Sequence, residues 1–193
     1  MKKLLLSLIA LLPILAVAQT VATFSNRSAK RTDMKVRLIT KDNKPCYVSF
    51  EAETKSGFAE VWVKYKDLPK FHAALIEARN KYVEWSEVAD KNHVMSLRKE
   101  IPVKFPKVEY WWEYGKERFT DSNTGWKMIF SASDQFRFAF MLASVTHWNN
   151  RFIKEKYAVT FISVEDFDSL INALDPQKIK AAADAIGNPE LFK

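Results

Sequence analysis

The chain is poor in the residues from which compact catalytic motifs are built. Its 193 residues include 4 glycines, 3 histidines and one cysteine, Cys46. With so little glycine, neither a P-loop nor a dinucleotide-binding glycine pattern is present. A single cysteine cannot close an internal disulfide, so packing alone must hold the fold together. His72, His93 and His147 do not stand at metal-ligand spacing to one another, to Cys46 or to a carboxylate pair. No strand-turn-helix nucleophile elbow accompanies a serine. The sequence therefore offers no catalytic residue, no metal ligand set and no cofactor motif. Beyond the first residues it also lacks any apolar run long enough to cross a bilayer, so no membrane span is expected in the mature chain.

The one long apolar run is at the start. Lys2 and Lys3 precede an almost unbroken apolar stretch from Leu4 to Leu15, and Ala16-Val17-Ala18 supplies small residues for cleavage. This is the pattern of a secretory signal peptide over residues 1–18, with Gln19 as the mature N-terminus. The run falls short of the roughly 20 residues a spanning helix needs. No cysteine follows the small residues, so the expected destination is periplasmic or extracellular, without a lipid anchor.

Aromatic residues are plentiful, at 13%. The formal net charge is +7 and is unevenly spread. Residues 19–104 carry 17 Lys and Arg against 11 Asp and Glu, a net +6, whereas residues 105–193 carry 11 against 12. A basic half suits an anionic partner or simply solubility.

Alternation of apolar and polar residues predicts strands through Met34–Thr40, Cys46–Glu53 and Phe58–Tyr65, joined by turn residues at Asp42–Pro45 and Lys55–Gly57. Cys46 falls in phase with Val48, Phe50 and Ala52 and is expected to be buried. Val21–Phe24 reads as a lead-in or an edge strand. Leu68, Phe71, Leu75, Ala78, Tyr82, Trp85 and Val88 recur at steps of three and four, predicting an amphipathic helix of about six turns. Val94–Pro106, with Pro102 and Pro106, reads as a connector. Further strands are expected at Lys107–Tyr114, Trp126–Ala132, Gln135–Ala143 and Tyr157–Ser163. Phe136, Phe138, Phe140 and Leu142 would line one face, too much apolar area to leave in water. Asp175-Pro176 opens a last helix.

The stretch Trp62–Leu75 matches Phe161–Leu174 without a gap. Asp67 meets Asp166, Leu68 meets Phe167, Phe71 meets Leu170 and Leu75 meets Leu174. Each copy reads as a strand end, an Asp suited to cap a helix, and apolar residues at helical spacing. The expected fold is α+β: antiparallel meanders each followed by a packed helix, in two pseudo-repeated halves, residues 19–104 and 105–193.

Two groups of residues are binding candidates. Tyr110, Trp111, Trp112, Tyr114, Phe119 and Trp126 form the densest aromatic cluster, and exposed Trp or Tyr can stack on sugar C–H faces, on bases or against a protein. Trp111, Trp126 and Trp148 are the stacking candidates, with a glycan or a protein as the expected partner. Glu109 and Glu113 flank Trp111, but four residues along one strand separates them by about 13 Å, too far for paired-carboxylate chemistry. The second group lies on the polar face of the first meander, where Lys35, Arg37, Trp62 and Lys64 combine cations with rings beside Tyr47. Such a face is what single-strand nucleic-acid binders use. The repeated meander-plus-helix unit also resembles, in layout alone, the Whirly and Pur-type single-strand binders. That resemblance implies a nucleic acid as the alternative ligand. Export makes it the second choice, and a hydrolase with a site assembled from distant residues the third.

Overall fold

The computed structural model describes residues 17–29, 31–55, 57–114, 117–121, 125–146 and 154–186, with side chains outside 112–124. The expected leader, residues 1–18, falls outside it except for Val17 and Ala18. The elements run β1 (Val17–Asn26), β2 (Arg31–Lys41), β3 (Lys44–Thr54), β4 (Gly57–Lys64), a 3-10 turn (Tyr65–Asp67), α1 (Leu68–Lys91), β5 (Ser96–Ile101), β6 (Glu109–Tyr114), β7 (Glu117–Asp121), β8 (Lys127–Ser133), β9 (Arg137–Thr146), β10 (Lys154–Phe161), α2 (Val164–Ala173) and α3 (Pro176–Ile186). The fold is α+β, and among the described residues ten strands form one antiparallel sheet. No helix among them is long and apolar enough to cross a membrane.

The strand order is β5-β8-β9-β10-β3-β4-β6-β7. Strand β3 is the hub. One of its edges takes β4 from Tyr47 to Thr54. The other is shared: β2 pairs with Lys44–Phe50, and β10 meets Glu53 through Ala158. Asp42 and Asn43, at φ of 52° and 57°, make the two-residue turn between β2 and β3. Both positions demand positive φ, which suits Asp and Asn and fits the twist of the flanking strands.

Period-two alternation sends Val36, Leu38, Val48, Phe50, Val61 and Val63 to the inner face, all fully buried. Helix α1 lies across that face with Leu68, Phe71, Leu75, Ala78 and Tyr82 inward. Phe71 packs on Phe50 at 5.6 Å, and Tyr82 packs on Phe167 at 5.3 Å. Each buried phenylalanine contributes roughly 1.5–3 kcal/mol by leaving water. The Tyr82 hydroxyl donates to the Arg137 carbonyl at 3.0 Å, and burial raises its pKa above the ordinary tyrosine value.

Several expectations are corrected. In β9 the buried residues are Ala139, Met141, Ala143 and Val145, while Phe136 is 65% exposed and Phe138, Phe140 and Leu142 lie half-buried on the outer face. The inner face of β9 carries Ala139, Met141, Ala143 and Val145, and Tyr82 of α1 reaches the strand at the Arg137 carbonyl. The outer rings instead cover one another, Phe138 on Phe140 at 6.0 Å, with the Arg98 guanidinium 5.1 Å from the Phe140 centroid. The expected connector contains β5, an edge strand exposed at every position but Ile101, so no alternation marks it in the sequence. Strand β7 was likewise not expected.

Val88 is 53% exposed and its neighbour Ala89 is buried instead. Cys46 is only half-buried, because a bulge between Ile39 and Thr40 breaks its pairing phase. Asp67 occupies the cap position of α1, but its side chain makes no capping bond. The 3-10 turn already has it in helical geometry (φ −97°, ψ −4°), not the extended geometry a cap adopts. The cap of α2 is Ser163, and Asp166 is the third helical residue, accepting from the Ser163 N–H at 3.1 Å and the Ile162 N–H at 2.9 Å. Asp175 does cap α3, accepting from the Gln177 N–H at 2.8 Å, and Pro176 holds the first position.

Candidate functional site

The site is on the outer face of β2, β3, β4 and β6, opposite the helices. Antiparallel register puts Ser49, Trp62 and Glu109 in one row and Glu51, Glu60 and Trp111 in the next. Cross-strand neighbours on one face stand close enough for their rings to touch. Trp62 and Trp111 stack with centroids 4.6 Å apart and planes 22° from parallel. Tyr47 leans on the other side of Trp62 at 5.4 Å and 53°. The result is a three-ring ladder across three strands, all three residues half-buried.

Carboxylates fix the ladder. The Tyr47 hydroxyl donates to Glu109 at 3.0 Å, and the Trp62 indole N–H donates to Glu60 at 2.9 Å. Burial first, then the Glu109 carboxylate, raises the Tyr47 pKa above its ordinary value. Glu60 also receives Arg37, which pairs in addition with Glu51 at 3.3 Å, and Arg31 reaches Glu51 at 3.2 Å. Register thus makes Glu60 a diagonal neighbour of Glu109, a carboxylate pair the sequence did not reveal. Both Glu60 oxygens are engaged, one by Arg37 and one by Trp62, so Glu60 serves as a hydrogen-bond acceptor.

The second group of candidates and one of the first converge here. Arg37 and Trp62 sit in the ladder network; Lys35 and Lys64 flank it and are exposed. The Arg37 charge is answered by two glutamates, so the face is less basic than its residue list suggests. Trp111 joins them because β6 adds to β4, a pairing with no local signal in the sequence. Trp126 is a correction: at 5% exposure it is core, 5.6 Å from Tyr110 and 6.3 Å from Phe50, and cannot meet a ligand. Trp148 and His147 lie outside the described residues. His72 faces the Ile171 carbonyl at 3.2 Å, linking α1 to α2. Among the described residues no group of His, Cys, Asp and Glu could hold a metal ion.

Beside the ladder, where β4 passes into α1, an open groove of about 440 Å³ is lined by Lys64, Lys66, Lys70, Lys104 and Lys107. Lys66 and Lys70 come from the 3-10 turn and the first turn of α1. Lys104 and Lys107 come from the extended segment before β6, where Pro102 and Pro106 forbid a helix. Phe105 anchors that segment, 8% exposed and 5.2 Å from Phe71. The excess charge of residues 19–104 was the available signal for this groove, but it could not say where the lysines meet. Comparison of the chain with protein-family models, with curated proteins and with solved structures gives no match.

Proposed function

We propose that the protein is an exported, non-enzymatic binding protein that holds a glycan on the outer face of its sheet. The observation that carries this reading is the Tyr47–Trp62–Trp111 ladder bordered by Glu60 and Glu109. Sugars present apolar C–H faces to aromatic rings and hydroxyl donors to acceptors, and the ladder supplies both complements in one place. Trp111, Trp62 and Tyr47 are the contact residues, and Glu109, with one oxygen engaged by Tyr47, is an acceptor beside them.

A second reading, a single-stranded nucleic-acid binder, draws on Lys35 and Lys64 at the margins of the ladder. It ranks lower because Glu51, Glu60 and Glu109 oppose a phosphate backbone over the rings themselves. We also propose that the two halves are related units. Support comes from the matched pairs Leu68 and Phe167, Phe71 and Leu170, and Leu75 and Leu174, all of which are buried.

Tryptophan fluorescence of the purified protein, titrated with oligosaccharides and then with oligothymidylate at two salt concentrations, tests the choice. A sugar-induced shift that Trp111→Ala abolishes is the expected result. A response to oligothymidylate alone, collapsing at high salt, replaces the glycan reading with the second one. No response to either makes the ladder a seal on the sheet and ends both.

A further inference from the structure

We propose that the five-lysine groove takes the carboxylate or sulfate substituents of an acidic glycan whose chain continues onto the aromatic ladder. This rests on the glycan reading above and narrows it to a ligand class.

The groove is concave and predominantly cationic. Five lysines face one carboxylate, Asp67, and among the described residues none of the five makes an ion pair. The arginines nearby behave differently: Arg31 and Arg37 are both paired to glutamate. Gathering unpaired cations in a cleft costs stability through mutual repulsion, and it concentrates anions there. The lysines, rather than the start of α1, supply the field, because the Leu68 N–H already bonds to the Tyr65 carbonyl and Pro69 has no N–H. Phe105 and Pro106 give the groove an apolar floor between the charges, and its volume falls in the range of small-ligand sites.

Continuity with the ladder selects a sugar polymer over other polyanions. Lys64 follows Trp62 by two residues on the same face of β4, roughly 7 Å along the strand. Lys107 stands two residues before Glu109, just beyond the last β4–β6 pair. A chain crossing from ladder to groove meets rings and hydroxyl acceptors first and cations next. An acidic glycan that alternates neutral and charged sugars can set its neutral residues on the ladder and its charged ones in the groove. A nucleic acid carries a phosphate at every residue and would bring them against Glu60 and Glu109.

The test uses binding to the purified protein by calorimetry, with four probes: a hyaluronan-type oligosaccharide in which uronate alternates with a neutral sugar, the same oligomer fully methyl-esterified, a sulfated heparin-type oligosaccharide, and oligothymidylate. The variants are Lys66→Gln/Lys70→Gln/Lys104→Gln, a control triple Lys91→Gln/Lys127→Gln/Lys154→Gln of equal charge change, and Trp111→Ala. The expected result is that an acidic sugar binds at least roughly tenfold tighter than the esterified oligomer, the groove triple loses that advantage, and the control triple keeps it. Trp111→Ala should weaken charged and esterified sugars alike. Equal binding of charged and esterified oligomers, indifferent to the groove triple, overturns the inference and leaves the glycan reading standing. An equal loss in both triples also overturns it, as general charge attraction. Failure of every sugar removes the glycan reading and this inference together. Oligothymidylate binding that depends on the groove lysines, without sugar binding, assigns the groove to nucleic acid and overturns the proposal.

Discussion

Trp62 and Trp111, on strands separated by the whole of helix α1, stack at 4.6 Å because β6 pairs directly with β4. The contact joins the strand before α1 to one after it, on the face opposite α1. A stacked aromatic pair contributes about 0.5–1.5 kcal/mol beyond its area burial. Trp111→Ala is therefore expected to lower stability by about 1–2 kcal/mol in urea melts, a modest loss that leaves the protein folded. Sugar binding should fall much further than stability does. A Trp111→Ala protein with full affinity would remove the ladder from the site.

The two faces of β9 give opposite responses to substitution. Ala139 is fully buried between Phe130 and Phe161 of the flanking strands, so Ala139→Leu overpacks the core and should cost about 1–3 kcal/mol. Phe138 is half-buried on the outer face, and Phe138→Thr should change stability by no more than about 1 kcal/mol. Chemical denaturation of the two variants checks the phase of the strand. Equal costs, or a larger cost at Phe138, would mean that the outer face is covered.

Asp166 joins three parts of the fold. It is 3% exposed, accepts the Ile162 and Ser163 N–H groups, and pairs with Arg27 at 2.9 Å across the β1 end. Asp166→Ala leaves those donors without an acceptor and should cost about 2–3 kcal/mol. Arg27→Ala should cost less, since the guanidinium side chain is half exposed and stays hydrated when unpaired. A double-mutant cycle on thermal melts separates the pair from the capping bonds. Additive losses would show that the ion pair itself contributes nothing.

Glu165, in the first turn of α2, has its carboxyl pKa held below the ordinary value, first by a hydrogen bond from Ser163, then by its own backbone N–H, then by the Arg27 charge. A depressed folded-state pKa means the contribution is present above the unfolded pKa and is lost as pH falls through the folded one. The melting temperature should accordingly drop more steeply below the ordinary glutamate range in the parent than in Glu165→Gln. Parallel melting-temperature profiles for the two proteins would deny Glu165 that role.

The periodicities that depend on one element alone were legible in the sequence. The α1 stripe from Leu68 to Tyr82, the alternation in β2, β3 and β4, and the Asp175-Pro176 start of α3 all follow from local residue order. What failed was decided by neighbours. Strand β9 shows two apolar faces, and only the packing of the assembled core selects Ala139 and Met141 as the inner set. Strand β5 is exposed at every position but Ile101 and shows no alternation, because an edge strand needs no buried stripe. Trp126 looked like Trp111 in the sequence, yet one closes the core and the other lies on the outer face. No local rule distinguishes two tryptophans in one aromatic cluster.

The sequence by itself determined an α+β chain of amphipathic strands and helices, stabilised by packing, with most of its positive charge before residue 105. It also carried the residues of the candidate site, Trp62, Trp111, Tyr47 and the lysines. Only the tertiary structure decided that they meet. Strand order and register are set by which apolar faces can be buried together, an energy spread over the whole core. That is why β6 lies beside β4, the tryptophans touch, and lysines from two distant segments surround one groove.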